Sequence, residues 1–573
     1  MPSYNEYLHE SSRLLYEYSS NFKVSIDLIQ KLAQHLRLDT FVDSEVTDPE
    51  TNQSVKRLSI AGSLLLVDID FKDQNTVTKV SLASGNHSTS AVSTASSHSE
   101  EKSVISTTKI DNTTVVRVNF LDENVLSFLN VRGEGDRSVA EKILKENLIG
   151  PRLGHFPLNL KYLANLDRLS PPEGDLVLYL DNIAKYLEVI HMQECKLNPD
   201  DDGVKSGQTS LLGKLLYNDV DSRQLGVFLQ FWKTHNKFPE SERSYFKPKT
   251  YVGRLSVIES ANPARDYLKE ATKALWEPKD KDGNFLEYKI TFDDDKHLPK
   301  GVPVSGHNTR NWSLQFGLNQ AVYLPREIVD YLDFDAVEEA EEPALKEVFG
   351  KIEKFGSVDF ALESGPLVSL DLSSYSSFVP VSAFTLSSLN SISKLLPSLR
   401  NFILLTSWVE SVVKQPECQV VGSTETDTKK QKDHPALTEE ELLGLNTMSE
   451  SNNYVGVQVL DSNTNTDLED FVKQEDEDEN MDKDNVESSA VTPVPQEPYL
   501  RIYLDDISFS SKDIDLQFAV STRTSSGSTF DAGFKLQNGA FIKEDYSEKP
   551  SAKRFINALE LSEDLLLASK VVN

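Results

Sequence analysis

The apolar positions of this 573-residue chain change period several times, and each change predicts an element. Near the N-terminus Tyr4, Tyr7, Leu8, Leu14, Leu15 and Tyr18 recur at helical spacing. Ser25 can cap a second helix with Ile29, Leu32, Ala33 and Leu36 on one face. The period then falls to two. Leu64, Leu66, Asp68 and Asp70 line one face of a strand, and Leu65, Val67, Ile69 and Phe71 the other. Asp73, Gln74 and Asn75 supply turn chemistry, and Val77–Leu82 reads as the return strand. From Ser84 to Ser99, nine of sixteen residues are Ser or Thr, so 84–109 reads as a disordered insertion. Thr114–Leu121 reads as a strand. Val125, Leu126 and Leu129 open a helical stretch that Val139, Ile143, Leu144 and Leu148 continue as far as Gly150-Pro151.

The most sustained pattern follows. Ser170 with Pro171 and Pro172 makes a helix start, after which Leu176, Leu180, Ile183, Leu187 and Ile190 repeat at 4-3-4-3. This seam is a structural one, buried against its own chain or against a helix of another. Asn198–Gln208 is a polar linker. Strands are expected at Tyr251–Ile258, Tyr288–Phe292 and Trp312–Phe316, with short helices at Pro325–Phe334 and Pro343–Phe355. Ser357–Leu372 reads as a hairpin around Gly365-Pro366, and a long helix runs from about Leu389 to Val413, kinked or restarted at Pro397. Past Lys414 the order is expected to stop until Tyr499–Phe509, a strand, and Ser551–Leu566, a helix.

These patterns sum to an α+β class: a mixed helical and antiparallel-sheet body with long disordered insertions and an acidic disordered tail segment. The expected organisation is an N-terminal α+β domain over 1–197 and a second α+β region over 209–413. A disordered acidic linker over 414–498 and a small C-terminal strand and helix element over 499–573 complete it. The apolar residues of that last element can dock back on the body.

Charge narrows the partners. The formal net charge is −31, which argues against direct contact with nucleic-acid phosphates or anionic membranes and favours basic protein partners. Residues 467–487 alone carry eleven acids against two lysines. Two distant cysteines, Cys195 and Cys418, exclude a disulfide framework and suit a reducing compartment. The first residues lack a basic n-region and an apolar core, and the longest apolar runs are far below the roughly 20 residues of a membrane span. A soluble, intracellular protein is expected.

Candidate chemistry is sparse. Asp68 and Asp70 share a strand face and could form a carboxylate pair, but two carboxylates do not make a metal site. The plainer reading is a strand leaving the core and meeting water. His191 and Cys195, with Glu194 beside them, lack the further ligands zinc requires. Gly207–Leu215 fails the phosphate-loop pattern by one residue and by Leu215 in place of a hydroxyl, and Gly133-Glu134-Gly135 is flanked by acid. Leu212, Leu215 and Leu216 form a Leu-x-x-Leu-Leu box that, on a helix, would suit groove docking or ordinary packing. Val472-Lys473-Gln474-Glu475, followed by Asp476–Glu479, matches a SUMO acceptor pattern at Lys473. No catalytic, metal or cofactor-binding residue emerges, and no cofactor is called for.

Two phrases carry a resemblance. Val55–Phe71 (VKRLSIAGSLLLVDIDF), with the return strand TKVSLAS, and Phe156–Glu188 (FPLNLKYLANLDRLSPPEGDLVLYLDNIAKYLE) occur in order around the Ser/Thr-rich insertion. Together they resemble the fungal form of the Mediator complex subunit 1 family, and the resemblance extends more weakly to about Val413. It implies a non-enzymatic scaffold subunit of Mediator's middle module, in the nucleus, relaying contacts between DNA-bound regulators and RNA polymerase II. The implied partners are other Mediator subunits, with RNA polymerase II and activators reached indirectly. Animal relatives use Leu-x-x-Leu-Leu boxes in disordered tails for nuclear receptors; the box here lies within the predicted body, so that role is not transferred. The alternatives are an acidic adaptor or activation protein outside Mediator, or an enzyme using Asp68 and Asp70.

Overall fold

The computed structural model describes residues 19–47, 54–84, 105–110, 113–118, 127–129, 138–171, 174–197, 211–234, 249–273, 276–277, 286–292, 311–332, 334–340, 343–362, 366–373, 375, 377–413, 418–421, 498–509, 514–523, 527–543 and 550–572. The helix expected over Tyr4–Tyr18, most of the Ser/Thr-rich insertion, the 198–208 linker and the acidic stretch with Lys473 lie outside these residues.

The period-two pattern builds the first sheet, an antiparallel meander in the order β1 (Asp39–Thr47), β2 (Ser54–Ala61), β3 (Leu65–Phe71) and β4 (Val77–Ser84). Leu65, Val67, Ile69 and Phe71 of β3 are buried, as their alternation requires. The β3–β4 turn is held by Asp73, whose carboxylate accepts from the Asn75 and Thr76 backbone N–H groups at 2.8 Å and from the Thr76 hydroxyl at 2.9 Å. These donors, Asn75 first, hold the Asp73 carboxyl below its usual pKa. Helix α1 (Ile26–His35) starts at Ser25, whose Oγ accepts from the Leu28 N–H at 3.3 Å, and buries Ile26, Ile29, Leu32 and Ala33. Helix α2 (Val139–Ile149) covers the far edge: Glu141 accepts a hydrogen bond from the β4 Leu82 N–H at 3.0 Å.

The second sheet overturns one expectation. β5 (Ile105–Ile110) lies inside the stretch read as a disordered insertion and pairs antiparallel with β6 (Thr113–Val118); β6 also runs parallel to β10 (Glu287–Phe292). Alternating Ile and Thr in ISTTKI suits a strand, and the Ser/Thr content before it hides that period. Residues 127–129 form a turn, not a helix, with Phe128 and Leu129 buried.

The third sheet has six strands in the order β12 (Ala336–Glu339), β15 (Phe378–Thr385), β11 (Trp312–Pro325), β9 (Thr250–Glu259), β8 (Gln224–Lys233) and β7 (Lys214–Asp219). Two helices pack on it: α3 (Phe156–Leu169) on β8 and β9, and α4 (Leu176–Leu197) on β7 and β8. The α4 start lies past the Ser-Pro-Pro signal. Asp175 is the cap, with Oδ1 accepting from Val177 N–H at 2.8 Å and Leu178 N–H at 3.3 Å, while Ser170 Oγ accepts from the Leu176 N–H at 3.0 Å. Short helices α5 (Tyr267–Ala271) and α6 (Arg326–Tyr331) connect the strands.

The fourth sheet joins distant parts of the chain. Its order is β16 (Cys418–Val421), β13 (Ser357–Leu362), β14 (Leu367–Asp371), β17 (Tyr499–Phe509), β18 (Ile514–Arg523), β19 (Thr529–Gln537) and β20 (Ala540–Lys543). The hairpin expected over Ser357–Leu372 is β13 and β14. Order continues past Lys414, since β16 pairs antiparallel with β13. β14 pairs in parallel with β17, Leu367 opposite Tyr499, so the C-terminal residues complete a sheet begun before residue 372. Helix α7 (Pro343–Phe355) contacts β13 and β15. Helix α8 (Ser391–Val413) runs through Pro397 as one helix and packs on the C-terminal strands: Trp408 meets Phe518 at 5.2 Å and Phe534 at 6.0 Å between ring centroids. Helices α9 (Pro550–Ser562) and α10 (Leu565–Val572) close the same unit, and one apolar core runs from Val24 to Ala568. The class is α+β, as the sequence pattern predicts.

Candidate functional site

The two acids that drew attention in the sequence are engaged by the neighbouring strand. Ser59 lies opposite Asp68 and Arg57 opposite Asp70 in the β2–β3 register. Ser59 Oγ donates to Asp68 Oδ1 at 2.6 Å. Arg57 grips Asp70 with two bonds, Nε to Oδ1 at 2.7 Å and Nη2 to Oδ2 at 3.0 Å. The hydrogen bond to Asp70 raises the Arg57 pKa against the opposing effect of burial, with further help from the charges of Asp70, Asp68 and Asp43. The strand does not leave the core here. Exposure falls along this face, from 39% at Leu66 to 3% at Asp70, because β2 supplies a hydroxyl and a guanidinium where the acids stand. The i, i+2 spacing of Arg57 and Ser59, mirrored by Asp68 and Asp70, is the signal that could have found this pair.

A third carboxylate does more, and no pattern announced it. Asp167, near the end of α3, accepts hydrogen bonds from three consecutive backbone N–H groups of the β2–β3 turn: Ser63 at 2.9 Å, Leu64 at 2.6 Å and Leu65 at 3.1 Å. Gly62 opens that turn, and a Cβ built there would land on the Asp167 carboxyl group. Only glycine leaves room for the carboxylate. Gly62–Leu65 belongs to the first sequence phrase and Asp167 to the second, so the two phrases interlock through this contact.

The second phrase uses its other buried polar residues in the same way. Asn159 accepts from the Leu225 N–H at 2.9 Å and donates to the Arg223 carbonyl at 3.0 Å. Tyr162 donates to the Leu255 carbonyl at 3.2 Å, with the Arg254 guanidinium 3.9 Å above its ring. The Tyr179 hydroxyl accepts from the Leu268 N–H at 3.3 Å. Asp181 accepts from the Phe128 N–H at 3.1 Å, while its Oδ2 is buried without a partner. Burial pushes the Asp181 carboxyl up to about 8, against hydrogen bonds from Ser127 and Phe128 that lower it. These side chains satisfy backbone groups of loops and strand ends. The arrangement holds elements in place.

The seam residues Leu176, Leu180, Ile183, Leu187 and Ile190 are each at most 1% exposed, and Tyr179, Ala184, Tyr186 and Val189 on the remaining faces of α4 are buried too. The seam's partner is therefore this chain's own body. Leu215 and Leu216 sit on strand β7, and Leu212 precedes it, buried, next to Gly213 at φ 80°. The Leu-x-x-Leu-Leu box is not helical, because β7 pairs with β8 through these residues. Cys195 Sγ lies 3.6 Å from His191 Nε2, and Glu194 accepts from the Leu211 N–H at 3.1 Å. Among the described residues no group of three or more His, Cys, Asp or Glu is arranged to hold a metal, and no helix is long and apolar enough to cross a membrane.

A family model described as Mediator of RNA polymerase II transcription subunit 1 matches residues 9–414. The chain belongs to the Mediator subunit 1 family. A curated relative from Schizosaccharomyces pombe (strain 972 / ATCC 24843), itself Mediator of RNA polymerase II transcription subunit 1, is 33% identical over 131 residues. That stretch is 22% of this chain and 28% of the relative, so the match spans little more than a quarter of the relative's length. The family match contains both interlocked phrases and ends before β16, β17, β18, β19 and β20. In this Mediator subunit 1 family member, the fourth sheet is thus completed by strands beyond the matched range.

Proposed function

We propose that this chain works as a non-enzymatic scaffold subunit of the Mediator coactivator, in its middle module and in the nucleus. It would contact other Mediator subunits and so relay signals from DNA-bound regulators to RNA polymerase II. The observation that carries this reading is the family match over residues 9–414, which includes the Gly62–Asp167 interlock. Physical chemistry supports it. Asp167, Asn159 and Tyr162 of the second phrase hold backbone groups, and the Asp68 and Asp70 carboxylates are engaged by Ser59 and Arg57. A chain whose polar side chains fix its own architecture acts through its surface. With a net charge of −31, that surface suits basic protein partners over nucleic acid.

Affinity purification of the tagged full-length chain from its own cells tests the reading. Other Mediator subunits should be recovered in proportion to the chain, and a tagged chain placed in cells should concentrate in the nucleus. Recovery of the chain free of other Mediator subunits would overturn the proposal and favour the acidic-adaptor reading. An Asp68→Asn/Asp70→Asn variant separates out an enzyme: lost activity with folding and assembly intact would assign chemistry to those two residues.

A further inference from the structure

Sheet edges carry unpaired backbone donors and acceptors, and folded proteins keep them short, covered or twisted. Among the described residues most edges here obey that rule. β5, β7 and β10 are six residues long, and β12, β16 and β20 four. β4 has eight, but helix α2 packs against it and Glu141 takes its Leu82 N–H. β1 is the exception. It is nine residues long, stands at the end of its sheet and pairs with β2 on one side only. Its register irregularity falls after Asp43, so Asp39–Asp43 runs as an even, unbroken edge. Phe41 is 63% exposed and Val42 46%, one on each face of the strand, although α1 holds Thr40 through Gln30 and Gln34 at 3.4 Å. Charge along the strand has one sign. Asp39–Thr47 holds three acids, Asp39, Asp43 and Glu45, and no lysine or arginine.

We propose that β1 is a docking edge that takes an extended, lysine- or arginine-bearing segment of another protein as a fifth strand. Backbone hydrogen bonds to the open edge would supply affinity, and Phe41 and Val42 would cover apolar side chains of the incoming strand on both faces. Basic residues of that strand would face Asp39 and Asp43, both exposed. A second copy of this chain is the wrong occupant, since edge-to-edge pairing would set acid against acid. The proposal rests on the assembly reading above and names the kind of neighbour that one surface recognises.

The test uses the full chain alone and within the assembly recovered by affinity purification. Amide hydrogen exchange over 39–43 should slow at least tenfold in the assembly. Zero-length carbodiimide cross-linking should join Asp39 or Asp43 to lysines of another subunit. An Asp39→Lys variant, altering an exposed side chain that lies opposite Ala61 and away from Arg57, should keep the melting temperature of the free chain and lose at least half of that protection. Equal exchange at 39–43 in the free and assembled chain overturns the proposal while leaving the assembly reading standing. So do cross-links confined to this chain or to a second copy of it. If no other subunit co-purifies, both readings fall.

Discussion

Removing the Asp167 carboxylate should loosen the join between the first sheet and helix α3. In an Asp167→Ala variant the Ser63, Leu64 and Leu65 N–H groups lose acceptors at 2.9, 2.6 and 3.1 Å. Bonds to a charged group contribute about 1.5–3 kcal/mol each, and because three donors share one carboxylate the losses do not simply add; roughly 3–5 kcal/mol for the site is the expected scale. Asp167 is only 9% exposed, so water cannot replace the lost bonds without the turn opening. Hydrogen exchange in the full-length chain reads this directly. At about 1.4 kcal/mol per tenfold, the Ser63–Leu65 amides should exchange roughly 100- to 4000-fold faster. Asp167→Asn keeps one carbonyl acceptor and loses the charge, so it should fall between wild type and Ala. Gly62→Ala should be harmful by itself, since its methyl meets the carboxyl, yet add little in the Asp167→Ala background. Exchange within twofold of wild type in Asp167→Ala, or strict additivity of the two substitutions, would refute the interlock.

Three more predictions follow from the same geometry. With the Asp181 carboxyl raised to about 8 in the fold against about 4 when unfolded, the native state holds an extra proton between those values, so stability falls as pH rises from about 4 to 8. Asp181→Asn should therefore melt increasingly above wild type across that window, and a difference that stays flat from pH 5 to 8 contradicts the assignment. Leu180→Ala in the seam, fully buried, should cost about 2–5 kcal/mol in denaturant unfolding, while Leu66→Ala, 39% exposed, should cost under about 0.5 kcal/mol. Asp70→Ala, which strips the partly buried Arg57 of its partner, should destabilise by about 1–3 kcal/mol, and Asp68→Asn by less than about 1 kcal/mol; equal effects in thermal melts would argue against the β2–β3 pairing.

Local chemistry was legible and long-range pairing was not. The α1 cap, the β3 alternation and the Asp73 turn each depend on residues within a few positions, and each lies where the sequence puts it. β8 (QLGVFLQFWK) was invisible because it is buried on both faces and shows no period of two. β15 is likewise buried on both faces and shows no period of two. The fourth sheet depends on Leu367 meeting Tyr499, a pairing that no local pattern encodes, so the C-terminal residues read only as one strand and one helix that can dock back on the body. At the site, two acids at i, i+2 attracted attention because they form a pattern. Asp167 is a single acid in a helix, and its partners lie 102–104 residues away. The phrases that mark the family were readable; the contact between them required the fold.

The central claim is that this Mediator subunit 1 family member acts by contact within the complex. Quantitative mass spectrometry of the tagged full-length chain, purified at its natural expression level, tests that most directly. Other Mediator subunits should co-purify in near-constant ratio to the chain through successive columns. Recovery of the intact, folded chain with no other Mediator subunit would contradict it.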